Sequence, residues 1–473
     1  MVLWTEFLRC LLALRSTCTR ARTFAWMVLI VAGFAARPDL AGVTSFIRGG
    51  WLRESVYHRL LALFHSSALR LPKLTQEWVR LVVILFRPVT AGEHLVCLAD
   101  GLKVPKEGKK MPGVKSLHVD SENNSKPEFI MGHSFQAISL LVHAGLGRVA
   151  AVPLAARIHE GVVSCNANRR SLLDKLACLL CEIAAAISER PLLLVADAYY
   201  ASGKVIRPLR AKGHHLVTRV RINVVAYRKA AKPSRPKRGR PKLYGTKLYL
   251  RRLLRKSTLF VSAPSPVYSE KGVILQYRCL DLLWKPAGGL VRFVLVKHPT
   301  RGSLILLTTH LELDPIEVIA LYGARFKIEV GFKEAKYTLG AQAYHFWMAD
   351  MTPIRRRSGN QHIHHQSAPY RRQVQRKMDA YHRHASLACV AQGLLLHLAI
   401  NFPNSVWGSF RSWMRTMNKA DTPSEHVVAG ALRMDLPEYL LQAPSTDLLP
   451  KIILGNIDPA HVPRWLNLGR RVA

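Results

Sequence analysis

Two short apolar runs, each leading directly into an aspartate, limit the fold of this chain more than any other feature. His94-Leu-Val-Cys-Leu-Ala99 meets Asp100-Gly101, and Pro191-Leu-Leu-Leu-Val195-Ala196 meets Asp197-Ala198-Tyr199-Tyr200. Continuous apolar character over so few residues, ending at turn-forming positions, predicts strands buried on both faces. Each strand then delivers a carboxylate at its end. A single strand-end aspartate is more often a cap or turn residue than a ligand, so the pair matters more than either alone.

The elements around these strands fall into a recognisable order. Phe129 to Val142 and Arg148 to Ala156 are strand candidates, Ser171 to Ser188 a helix, Gly203 to Lys212 a second helix, and His215 to Arg221 a further strand. Strand, strand, strand, helix, strand, helix, strand is the ribonuclease H-like order, an α/β class. That topology calls for one more helix bearing an acid. Leu313-Asp314-Pro315 opens one, with proline in the first turn, and the helix, expected to run to about residue 340, carries Glu329. At about 100° per residue, Tyr322, Arg325, Glu329 and Lys336 share roughly 60° of arc. Ile328, Phe332 and Ala335 form an apolar stripe beside them. The stretch between the last core strand and this helix, 222–310, is rich in β-type residues: Lys247–Leu250, Thr258–Val261, Gly272–Arg278, Leu290–Lys297 and Ser303–Thr309. A β-rich insertion is expected there rather than a long loop. The expected division is a helical DNA-binding region over 1–90, a catalytic domain over 91–345 that includes the insertion, and a basic helical region over 346–473.

Charge selects the partner. Lys and Arg number 69 against 30 Asp and Glu, a formal net charge of +39, while hydrophobic residues make up 49% of the chain. A folded protein this basic points to a polyanion, and nucleic acid is the first candidate. Lys103, Lys106, Lys109, Lys110 and Lys115 follow Asp100, and Arg355–Arg357, Arg371, Arg372, Arg376, Lys377 and Arg383 cluster later. Gly42 to Leu61 has the outline of a helix-turn-helix and equally of an ordinary helical hairpin. His362, His364 and His365 are read as part of a DNA-facing loop rather than a metal site. Cys178 and Cys181 have metal-type spacing without a second pair and are read as core residues of the 171–188 helix. Eight scattered cysteines fit a reducing compartment, here the cytoplasm and its nucleoid. Thr23–Ala36, the longest uncharged N-terminal run, is too short to span a bilayer, so no membrane partner is expected.

Asp100, Asp197 and Glu329 stand on three separate elements, as oxygen ligands for two divalent ions about 4 Å apart should. Tyr322, Arg325, Glu329 and Lys336 match the Tyr-x2-Arg-x3-Glu-x6-Lys signature of bacterial insertion-sequence DDE transposases, the YREK group, and the chain resembles that family over most of residues 40–400. Leu98 to Gly113 is similar to its first-Asp block, Asp197-Ala-Tyr-Tyr200 to its second, and Gly132-His133-Ser134 and Tyr344-His-Phe-Trp347 to further blocks of one branch. The resemblance implies a site of Asp100, Asp197 and Glu329 holding two Mg²⁺ or Mn²⁺ ions. It also implies phosphate contacts from Tyr322, Arg325 and Lys336. Lys333 on the same helix, and Lys103 and Lys106 beside Asp100, are added as DNA contacts on charge. Trp284, in the insertion, is either an aromatic that stacks on a flipped base or a core tryptophan. Arg238 and Arg240 lie in an Arg-Gly-Arg-Pro resembling an AT-hook core, or in a solvated basic loop on the DNA backbone. The implied partners are double-stranded DNA at both element ends and at the target, and a second copy of the chain, with no small-molecule substrate. The implied activity is cleavage at insertion-sequence ends and transfer of the 3′-OH strand to target DNA. A decayed transposase acting as a repressor, or a ribonuclease H-like nuclease without strand transfer, are the other readings.

Overall fold

The computed structural model describes residues 1–119, 127–165, 170–187, 190–231, 239, 242–267, 270–415, 417–444, 446–464 and 466. Its helices begin with α1 (Val2–Leu12), α2 (Ala21–Ala36), α3 (Thr44–Gly49), α4 (Val56–Phe64) and α5 (Leu71–Leu85). Strands β1 (His94–Pro105), β2 (Lys115–His118), β3 (Phe129–His143) and β4 (Val149–Ile158) follow, then α6 (Leu172–Ala186), β5 (Leu192–Ala196), α7 (Gly203–Arg210) and β6 (His215–Val220). Next come β7 (Val225–Lys229), β8 (Tyr244–Tyr249), β9 (Val261–Pro264), β10 (Ile274–Trp284), β11 (Gly289–His298) and β12 (Gly302–Thr308). The chain continues with α8 (Pro315–Ala324), α9 (Lys327–Tyr337), α10 (Ala368–Asn401) and α11 (Glu425–Gln442). The molecule is mixed α/β, and its compact units are discontinuous in sequence. One is made of Met1–Arg87, Gly101–Arg169 and Val330–Ala473; the other of Pro88–Asp100 and Arg170–Glu329.

The second unit is built on a mixed sheet. β1 pairs parallel with β5, and β5 parallel with β6. All five residues of β5 are buried, as a parallel strand covered on both faces requires. α6, capped by a reciprocal Ser171–Asp174 box, packs with α7. Cys178 is exposed and Cys181 half-exposed, because the buried stripe of α6 runs through Leu176, Leu179, Leu180 and Ile183 instead. The core-cysteine expectation is therefore corrected. Beyond β6 the sheet continues antiparallel through β12, β11 and β10, with β9 on β10 and with β7 and β8 beyond. The β-type stretches of 222–310 thus add strands to the sheet that holds β5 and β6.

The first unit gathers the N-terminal helices, β2–β4, and the long helix α10. β3 pairs antiparallel with both β2 and β4. α10 packs on β4, α2 and α5. Its apolar half is long enough to attract a membrane reading by composition, and it is almost wholly buried among these neighbours.

Candidate active site

In the second unit Arg325 joins Asp100 to Glu329, and strand register places Asp197 near Asp100, although the three carboxylates are not all within 4.8 Å of one another. Ala99 of β1 stands opposite Ala196 of β5, and the next residue on each strand is an acid, Asp100 and Asp197. Neighbouring strands lie about 4.8 Å apart, so Asp100, within β1, and Asp197, just past the end of β5, are near each other. Asp197 is anchored where it leaves: its Oδ1 accepts the Tyr199 N–H at 3.0 Å, and its carbonyl accepts the Thr218 hydroxyl of β6 at 2.6 Å. The β1 strand does not stop at Ala99 as its apolar run suggests; it continues to Pro105.

The acid-bearing helix departs from the sequence expectation. One continuous helix over 315–340 is replaced by α8 and α9, with Arg325 and Phe326 between them. Arg325 N–H bonds to Tyr322 O, Ile328 N–H to Arg325 O and Glu329 N–H to Phe326 O. These are i→i+3 bonds, so the join is wound more tightly than an α-helix and shifts the phase of Glu329 against Tyr322. α8 begins as predicted, with Asp314 accepting the Ile316 N–H at 2.7 Å and Pro315 at its first position.

Arg325 ties the constellation together. Its Nη1 donates to Asp100 Oδ2 at 2.8 Å and its Nη2 to Glu329 Oε1 at 2.7 Å. Asp100 and Arg325 are largely buried, while Glu329 is about half exposed. Burial works against the guanidinium charge, and the Asp100 and Glu329 carboxylates outweigh it, so Arg325 is held even more firmly cationic than usual. Tyr322 is drawn into the same field. Burial raises its phenol pKa, Arg325 and Arg219 oppose the rise, and the Asp197 carboxylate adds to it. Asp100, Asp197, Glu329, Tyr322 and Arg325 therefore share one neighbourhood. The donor set suits a hard divalent cation: carboxylate oxygens from three elements. A cation, the Arg325 guanidinium, already bridges two of them.

The other expected contact residues fare differently. Lys333 and Lys336 are exposed on α9, the latter with its ammonium 4.9 Å from the Tyr337 ring centroid. Lys103 is exposed on β1, and its Nζ donates to His118 O at 2.6 Å. Lys106 is corrected: it is 6% exposed, its ammonium bonds the Gln342 and Tyr344 carbonyls and lies 3.8 Å from the Tyr344 ring centroid, and burial lowers its pKa to about 7. It is a core residue of the first unit, closed to phosphate. For Trp284 the core reading applies and the base-stacking one does not. At the end of β10 it is 7% exposed and edge-on to Phe293, which leaves no face for a base. Arg238 and Arg240 lie outside the described residues.

Sequence reasoning missed what two of the family-like blocks do. His133 Nε2 faces the Pro112 carbonyl at 2.9 Å and its Nδ1 faces the Tyr344 hydroxyl at 2.8 Å. Nε2 must then carry the proton, and Nδ1 accepts from Tyr344. Burial pushes the His133 pKa down to about 3. Tyr344 also stacks on Tyr381, whose hydroxyl donates to Phe346 O at 2.6 Å. Gly132-His133-Ser134 and Tyr344-His-Phe-Trp347 thus meet in a polar-aromatic core of the first unit. The one available hint was that a histidine and tyrosines surrounded by apolar residues need hydrogen-bond partners.

Residues 143–346 match the transposase DDE domain family, a stretch that contains Asp197 and Glu329 and begins after Asp100. No curated protein matches the chain. Among solved structures, the cryo-EM structure of a piggyBac transposase synaptic complex with hairpin DNA aligns over 94% of this chain and 78% of that one, with 14% identity and a TM-score of 0.36.

Proposed function

We propose that this chain is a DNA transposase of the YREK group, with a ribonuclease H-like core, that cleaves insertion-sequence ends and transfers the 3′-OH strand to target DNA. The observation that carries this reading is that Asp100 and Asp197 each follow a paired residue, Ala99 and Ala196, on neighbouring parallel strands, with Glu329 joined to Asp100 through Arg325. Asp100, Asp197 and Glu329 would hold two Mg²⁺ or Mn²⁺ ions, which when bound activate the attacking oxygen and stabilise the leaving one. The chain's own residues do the remainder. Arg325 screens the repulsion between Asp100 and Glu329, which would otherwise push the two carboxylates apart. The Thr218 bond to the Asp197 carbonyl fixes the strand end that aims the second acid. Tyr322, Arg325, Lys333 and Lys336 contact phosphates near the transposon end, with Lys103 as a further cationic contact. The excess positive charge draws DNA in without regard to sequence. The working form is a homodimer on paired ends, acting on the nucleoid in the cytoplasm.

The test is an assay of purified protein on DNA bearing the element ends. Nicking and joining should require Mg²⁺ or Mn²⁺, and Asp100→Asn, Asp197→Asn and Glu329→Gln should each lower both by at least about 10³-fold while end binding persists. Cleavage of DNA lacking the ends, with no joining, would favour a nuclease. End binding without metal-dependent cleavage by the unmutated protein would favour a repressor.

A further inference from the structure

The second unit holds another convergence of ligand atoms, at the far end of β1 from Asp100. His94 opens β1, His215 opens β6, and His310 lies just past the end of β12. The ring centroids are 4.8 Å apart for His94–His215, 4.8 Å for His94–His310 and 4.6 Å for His215–His310. Each ring offers a nitrogen, and the three nitrogens lie within 4.8 Å of one another. All three residues are half-buried. Six residues of extended chain separate His94 from Asp100, about 20 Å, so this cluster is distinct from the acidic constellation.

Three imidazoles so close cannot all be charged. Burial pushes the His215 pKa down to about 4, with His310 and His94 adding to the shift, and burial followed by His94 lowers that of His310. A ring held neutral, as these shifts favour for His215 and His310, keeps a lone pair. The orientation is partly set: His215 Nδ1 lies 3.1 Å from the Thr309 hydroxyl, which also receives the Leu216 N–H at 3.0 Å. A ring nitrogen fixed by an outer oxygen is the arrangement that orients metal-binding histidines. His310 Nδ1 accepts only a long bond, 3.4 Å, from the Glu312 N–H. His94 Nδ1 is buried and has no hydrogen-bond partner among the described residues. Leaving such an atom unpaired costs free energy that a ligand would recover. Simple ring stacking leaves that nitrogen unexplained.

We propose that His94, His215 and His310 form a second metal site, for Zn²⁺ or a similar borderline transition ion. Three imidazole nitrogens without a carboxylate or thiolate suit that class and not the Mg²⁺ or Mn²⁺ expected at the acids. Zinc–nitrogen bonds of about 2.0–2.1 Å put tetrahedral ligands about 3.3 Å apart, so small ring rotations close the cluster and leave the fourth position to water. The ion would clamp the starts of β1 and β6 to the segment between β12 and α8. These are the elements that carry Asp100 and, through α8, Arg325.

Full-length protein stripped with chelator is titrated with Zn²⁺ by calorimetry and with Co²⁺ by visible absorption. One equivalent should bind with a four-coordinate Co²⁺ spectrum, and saturation should raise the melting temperature by about 5 °C. His215→Gln and His310→Gln should each weaken binding at least about 100-fold. Binding should survive Asp100→Asn with Glu329→Gln, and also His364→Gln with His365→Gln. His310→Gln, in a connecting segment, keeps the test valid if His215→Gln fails to fold. The proposal is overturned if the unmutated protein takes up no more Zn²⁺ than His310→Gln. It is equally overturned if binding is lost with the acids or with His364 and His365.

Discussion

Arg325 is the residue on which the candidate site turns, and its role is the least visible from sequence. Its spacing to Glu329 announces an i,i+4 pair; its bond to Asp100, 225 residues away, has no local sign. A divalent ion held by the acids, as proposed, would compete with this guanidinium. Replacing Arg325 with Gln should therefore tighten Mn²⁺ binding, by about 10-fold for the loss of one competing charge, as read by electron paramagnetic resonance; unchanged or weaker binding would remove Arg325 from the site. Lysines are sorted by exposure. For DNA binding, Lys333→Gln and Lys336→Gln should each reduce the slope of log K against log salt by about 0.9, whereas Lys106→Gln should leave it unchanged. A salt titration by fluorescence anisotropy decides this, and a reduced slope for Lys106→Gln would contradict its buried placement. Lys106 was misplaced, and Trp284 left with two readings, because a basic or aromatic letter carries no record of burial. Lys106 is buried by Tyr344, a residue far from it in sequence.

Elements were more legible than side chains. The two apolar runs form β1 and β5, because a strand covered on both faces must be apolar throughout. The start of α8 was readable from Asp314-Pro315, since capping is local chemistry. The break between α8 and α9 was not, for no proline marks it and Gly323 lies inside α8 rather than at the join. The start of α11 offers a test of element-level electrostatics. Glu425, in its first turn, is buried, and burial followed by Glu334 raises its pKa to about 7. Between about pH 4.5 and 7 the folded chain holds a proton that the unfolded chain has lost. Stability conferred by protonated Glu425 is therefore present at low pH and falls as pH rises through that window, by on the order of 2–3 kcal/mol. Glu425→Gln should flatten this part of the profile and stabilise the protein at pH 8, as read from urea midpoints at pH 5 and pH 8. An unchanged slope would mean that Glu425 is not the group titrating.

At the scale of the whole molecule, the compact units interleave along the chain, and two of the three acids, Asp100 and Glu329, are each the last residue of a segment of the second unit. Linear patterns of charge and periodicity describe consecutive residues, so they show helical ends and a β-rich middle but not which distant segments pack as one body. The order of strands and helices from 94 to 221 was readable because each element has its own period. The convergence of His94, His215 and His310 was not, because three isolated histidines have no motif spacing. The central claim is that Asp100, Asp197 and Glu329 jointly hold divalent ions. The most direct measurement is a Mn²⁺ titration of the purified chain by electron paramagnetic resonance, beside Asp100→Asn, Asp197→Asn and Glu329→Gln. Each substitution should remove at least one bound Mn²⁺ or weaken it by about 10-fold or more; full, unweakened Mn²⁺ binding in any one of the three variants would show that the altered acid is not a ligand.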